Sequence, residues 1–253
     1  MKVPIGLQVW PVQKEFVADV PGTLQAIAKM GYDGVELCYY WPQVWDHADD
    51  IRKVCDGEGL KVVGSHVRYP DMQGDTLKRL IEFSQAVGQR NIIVATLPEE
   101  ILLSRAKLLE TAAWFNWMTT LLRAEGLRLG YHNHAKEFVP VEGGDMPWDL
   151  LIGLTVPDMI MQEDIGHVVR GNADPFVYLE RYPGRAKLVH IRGFSATDPN
   201  VLVGEGDLDW QRLFKVCEGV GGTEWYIVEQ SATTLSPMET AQRCLENWRK
   251  MGK

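Results

Sequence analysis

The chain has 253 residues, 45% of them hydrophobic and 24% charged, the composition of one large globular domain. A formal net charge of −8, with no Lys/Arg cluster, argues against nucleic acid as a partner, because phosphate binding needs a basic face. No apolar run approaches membrane-spanning length, and four cysteines without C-x-x-C spacing read as reduced thiols, so a cytoplasmic location away from membranes is expected.

Taken in chain order, apolar runs rich in β-branched residues at 3–9, 34–37, 60–66, 91–95, 127–132, 159–164, 186–191 and 225–229 read as strands. Between them, amphipathic segments at 23–30, 47–57, 74–87, 104–124, 147–152, 175–181, 210–217 and 237–250 read as helices. In the first of these, Leu24, Ile27 and Ala28 fall on one face. Gly31, Gly59, Gly88, Gly126 and Gly219 mark helix ends. The recurring order of helix, Gly and apolar strand implies a parallel sheet with crossover helices. Eight such units in a chain of this length favour an α/β fold, a single (β/α)8 TIM barrel spanning residues 1–253. No G-x-G-x-x-G or Walker sequence follows the first strand, which removes the main signal for a dinucleotide-binding sheet.

Several strands of the second half end in an acid or imidazole: a member of the group His132, His134 and Glu137, then Asp164, His190 and Glu229. A charged or imidazole group at the end of a hydrophobic run is costly without a partner. Four such endings at the C-terminal mouth of one barrel describe a pocket able to hold a divalent ion. Each has a bland reading too. Asp164 suits a helix N-cap, His190 a hydrogen-bonded core position, and Glu229 a salt bridge. Gln8, Glu36, His66, His167 and Arg192 fall at the same end, Glu36, His66, His132 and Arg192 being candidate substrate contacts. Trp10, Trp41 and Trp45 either stack on a ligand or pack at the rim. Glu205 reads as a turn residue and His47 as a surface residue.

The motifs Gly31-Tyr-Asp-Gly-Val-Glu-Leu37, Tyr131-His-Asn-His-Ala-Lys-Glu-Phe138, Asp164-Ile-Gly-His167, His190-Ile-Arg192 and Gly204-Glu-Gly-Asp-Leu-Asp-Trp210 together resemble the sugar phosphate isomerase/epimerase family. These are xylose-isomerase-like TIM barrels whose relatives include inosose dehydratase and ketose 3-epimerases, and the resemblance covers essentially the whole chain. It implies one divalent metal ion, Mn2+ above all with Mg2+, Co2+ or Zn2+ as alternatives, held by Glu, Asp, His and Glu from strands five to eight. Asp164, His190 and Glu229 match the last three ligands. The first departs: strand five ends in Tyr131-His132-Asn133-His134, and Glu137 follows a few residues later. Glu137 is the expected ligand, since an oxygen-rich set suits hard ions. Ligation by His132 or His134 instead would shift preference toward Zn2+, Co2+ or Fe2+.

The implied activity is a metal-dependent isomerase or epimerase acting on a keto-sugar or derivative through a metal-stabilised enediolate. Glu229 and Glu137 are the expected bases. The alternative is a keto-inositol or keto-glycoside dehydratase or lyase, with His134 or His167 supplying a proton to the departing oxygen. A multi-zinc apurinic endonuclease is disfavoured by six histidines and the acidic charge, and a non-catalytic sugar binder by the full ligand set. The stretch 194–208 is the expected specificity loop, and self-association, common in such barrels, stays open.

Overall fold

The computed structural model describes residues 2–230 and 234–253. Eight parallel strands, β1 (Ile5–Gln8), β2 (Gly34–Cys38), β3 (Lys61–Arg68), β4 (Asn91–Thr96), β5 (Arg128–His132), β6 (Ile160–Asp164), β7 (Leu188–Ile191) and β8 (Trp225–Val228), close into a barrel in sequence order. The helices Val20–Met30, Ala48–Glu58, Gly74–Val87, Arg105–Ala124, Pro147–Gly153, Pro175–Arg181, Trp210–Val216 and Pro237–Lys250 connect them. This is the expected single (β/α)8 barrel. Strand and helix bounds differ from the expected ones by a few residues at most, the size of ordinary fraying.

The main departures lie at the C-terminal mouth, where short helices at Gln13–Ala18, Pro42–Trp45, Glu99–Leu102 and Ile165–Arg170 precede the longer ones. Segments of four to six residues span too few turns to display a 3.6-residue period. Gly31, Gly59 and Gly88 adopt positive φ at their C-caps, as read from the sequence, where a side chain is sterically disfavoured; Gly219 instead lies within the π-helical turn Cys217–Gly221, which ends at Gly222.

Strand alternation divides the barrel wall into two populations. Tyr131 on β5 points outward, where its ring lies 5.6 Å from Phe115 and 5.8 Å from Trp148 of the surrounding helices. Gly130 and His132 point inward. At the N-terminal end the interior is plugged by Val63, Ile93, Ile160, Leu188 and Ile227, a buried cluster separate from the main core under the helices. Two glycines make room for it. A Cβ on Gly130 would come within 2.5 Å of Ile93 Cδ1 and 2.9 Å of Ile160 Cβ, and one on Gly34 within 2.7 Å of Val63. Above this plug the inward positions turn polar: Gln8, Glu36, His66, Gln162, Asp164 and His190 are all buried. Among the described residues no helix is long and apolar enough to cross a membrane.

The plug is therefore tight enough that Gly130→Ala should overpack it. Loss of about 1–3 kcal/mol is expected in equilibrium urea unfolding, the usual cost of inserting a methyl group into a filled core. An unchanged midpoint would show that Ile93 and Ile160 yield freely.

Candidate metal centre

Glu36, at the inner face of β2, is fully buried and sits under the mouth of the barrel. Its Oε2 accepts from Gln8 Nε2 (2.7 Å) and from His190 Nε2 (2.7 Å), and its Oε1 accepts from Gln162 Nε2 (2.6 Å). His66 Nε2 lies 3.2 Å from the same carboxylate and 2.7 Å from Gln162 Oε1. Burial opposes the charge on Glu36, but the adjacent His66 and His190 and the bonds from His190 and Gln162 hold its carboxyl below the ordinary range. The other nitrogen of His190, Nδ1, lies 2.8 Å from Glu229 Oε2. Burial disfavours a charged His190 as well, yet the two flanking carboxylates outweigh it and push its pKa up to about 10. Glu229 responds in the opposite sense: despite burial, His190 and Arg192 keep it far below the usual carboxylate range.

Around this axis five of the six histidines meet. The His66 and His190 rings stack at 5.2 Å, His132 lies 4.7 Å from His190, and His134 lies 5.0 Å from His132 and 4.8 Å from His167. Burial first, and then the crowd of imidazoles, drives His132 well below its normal pKa. Burial likewise lowers His167 to about 4. Both are therefore neutral near pH 7, the form in which imidazole ligates or accepts a proton.

Asp164 serves two neighbours. Its Oδ1 caps helix Ile165–Arg170 by accepting from His167 N at 2.7 Å, while its buried Oδ2 has no hydrogen-bond partner and faces Arg192 Nε at 3.3 Å. The N-cap reading and the ligand reading are thus compatible, one oxygen each. Arg192 is packed over Gly166, where a Cβ would lie 2.2 Å from its Cγ.

Donor atoms of His132, Asp164, His190 and Glu229 all lie within 4.8 Å of one another, as do those of His66, His132 and His190, and of His132, His134 and His167. The first group fits a divalent ion best. It combines two imidazoles and two carboxylates, Asp164 Oδ2 and His132 Nδ1 are buried without partners, and Glu36 is placed to hold the far nitrogen of His190 as an outer carboxylate. His190 with its extra proton offsets one of the two carboxylate charges that flank it, part of the electrostatic task that a cation performs.

Along residues 24–251 the chain matches the family described as xylose isomerase-like TIM barrel. It belongs to that family. Among curated relatives, an inosose dehydratase of Clostridium perfringens is 24% identical over 86% of this chain and 85% of its own length. Among solved structures, a sugar phosphate isomerase/epimerase from Parabacteroides distasonis superposes with TM-score 0.82 at 22% identity, covering 97% of this chain and 95% of that one. The IolI protein with a bound zinc atom superposes with TM-score 0.75 at 11% identity, covering 98% of this chain and 97% of that one.

Within this xylose isomerase-like barrel the structure gathers Asp164, His190, Glu229, His132, His134, His167, His66 and Arg192 around one point, but not Glu137. The chain turns back after strand five through the 3-10 segment Ala135–Phe138, and the Glu137 carboxylate accepts from Tyr131 Oη (2.5 Å) and from His134 N (2.8 Å). Tyr131 has outward parity, so Glu137 is drawn behind the barrel wall and outside all three donor groups. Glu36, expected as a substrate contact, lies instead beneath the imidazoles with its oxygens engaged. Gln162 was missed because an amide within a buried strand carries no charge signal, though its parity with Asp164 places it inward. Glu205 accepts from Leu202 N in its own loop and from Asn247 Nδ2 of the helix Pro237–Lys250, and His47 pairs with Asp50 at the surface, as read from the sequence. Trp41 and Trp45 pack against rim aromatics, whereas Trp10 is 40% exposed and lines the mouth.

The depressed pKa of His167 sets a pH dependence. In the folded chain His167 binds its proton only near pH 4, against 6.5 ordinarily. Its contribution to stability is present above pH 6.5 and is lost as pH falls toward 4. Urea midpoints of metal-free protein between pH 7 and 4.5 should therefore drop more steeply for the parent than for His167→Gln. Parallel curves would contradict the assignment.

Proposed function

We propose that this protein abstracts the proton beside the carbonyl of a keto-inositol or keto-glycoside and eliminates the oxygen substituent one carbon further on, as a dehydratase or lyase. The observation that carries this is the lining of the mouth. A cavity of about 300 Å3 is bounded by Trp10, Tyr40, His66, Arg68, Ala95, Thr96, His132, His134 and Glu229, so a single carboxylate faces a set of imidazoles. Epimerisation by a pair of carboxylates would need Glu137 on the open side, and it is held behind the wall by Tyr131.

In this reading His132, Asp164, His190 and Glu229 would hold one divalent ion. Exchange of a carboxylate for an imidazole shifts the preferred ion from Mn2+ or Mg2+ toward Zn2+, Co2+ or Fe2+. When bound, the ion supplies Lewis acidity to the carbonyl and its neighbouring hydroxyl. Glu36 fixes the tautomer of His190. Glu229, kept ionised by His190 and Arg192, takes the proton from the carbon next to the carbonyl. The C–H electron pair becomes the enolate, then the new double bond, as the β C–O bond breaks. His134, at the cavity wall, protonates the departing oxygen. Trp10, stacked on Trp41 at 5.9 Å, offers its other face to a sugar ring in the cavity it lines with Ala95 and Thr96.

A metal-dependent isomerase or epimerase is the second reading, favoured by the imidazoles opposite Glu229, which can return a proton to another carbon or face. Incubation of metal-loaded protein in D2O with a 3-keto-glucoside or a 2-keto-inositol separates the two. The elimination reading expects release of the alcohol or water, an enone absorbance, and a loss of about 10²–10⁴ in rate for Glu229→Gln. A deuterated isomer or epimer as the sole product would establish the second reading. No deuterium uptake and no elimination would overturn both.

A further inference from the structure

At the opposite end of the barrel, between the N-terminal ends of β5, β6 and β7, lies a crevice of about 440 Å3. Arg123, Arg128, Arg185 and Lys187 line it, with Asp158 as the lining acid. Such a concentration of cations is unexpected on a chain of net charge −8. Arg123 is paired with Asp158 at 2.6 Å. Arg128 and Lys187 share one carboxylate, Glu224, at 2.9 and 3.6 Å.

Arg185 has a different set of partners. It is 7% exposed, and its guanidinium donates to the carbonyls of Ile152, Thr155 and Met159 and to the Thr155 hydroxyl, all neutral acceptors. Among the described residues no carboxylate offsets its charge. Four cations thus face two carboxylates, Asp158 and Glu224, leaving an excess of two positive charges around a concave wall. A buried cation without a counter-charge is costly, and a concave wall of one sign concentrates counter-ions.

We propose that this crevice binds the phosphate dianion, free or as the head group of a small phosphate ester. The excess charge matches a dianion: Arg123, Arg128 and Lys187 are the cations whose donors can turn to its oxygens, while Arg185, held by Ile152, Thr155 and Met159, adds uncompensated positive charge behind them. Because the site lies at the end of the barrel away from the histidine cluster, occupancy acts on the stability of the fold rather than on the chemistry at the mouth.

Calorimetric titration at fixed ionic strength tests this, using inorganic phosphate in one arm and glycerol 3-phosphate in the other. Saturable binding in either arm is expected, with Arg128→Gln and Lys187→Gln each weakening it about tenfold, the scale of one charge-assisted contact. Arg68→Gln, which removes the same charge at the opposite mouth, should leave affinity unchanged. Melting curves without phosphate confirm that each variant is folded before titration. Binding in the first arm identifies free phosphate, and binding in the second alone identifies the ester. Absence of saturation in both arms, or loss of affinity in Arg68→Gln but not in the crevice variants, would overturn the proposal.

Discussion

The buried Glu36 carboxylate is the constraint on which the rest of the site depends. It reaches strands β1, β6 and β7 at once, through Gln8, Gln162 and His190. A carboxylate in this position is tolerable only because its oxygens are filled by donors and a cationic imidazole lies against it. Removing one member of such a buried pair typically costs about 3–5 kcal/mol, since the other charge is left uncompensated. The same bond orients His190 so that Nδ1 faces Glu229. Geometry at the mouth is thereby inherited from a network one layer below it.

Above that layer, charge and neutrality are separated by position. His190, between two carboxylates, is held protonated, while His132, buried among other imidazoles, is held neutral. One barrel mouth thus presents an ionised carboxylate in Glu229 and neutral imidazoles a few ångströms away. Asp164 shows how economical the arrangement is: one oxygen starts the next helix and the other is turned to the cluster.

Much of this was legible in the sequence because strand parity and barrel topology are strong constraints. The glycine-terminated helices and the eight apolar runs specify the barrel, and the C-terminal strand ends specify where Asp164, His190 and Glu229 meet. Glu137 was not legible. Its position depends on a 3-10 turn and on the outward parity of Tyr131, and neither leaves a periodic signature. Sequence spacing alone places a carboxylate nearer Asp164, His190 and Glu229 than it does the imidazole of His132. Glu36 failed for a related reason: the sequence shows a polar residue at a strand end, but not whether it faces the opening or lies one layer beneath it.

In the proposed four-residue metal centre, strand five contributes His132 and not Glu137. Anomalous diffraction from crystals grown with Zn2+ addresses it most directly. A peak is expected about 2.0–2.2 Å from donor atoms of His132, Asp164, His190 and Glu229, with Glu137 still bonded to Tyr131. A peak ligated by Glu137, or no peak within the histidine cluster, would contradict it.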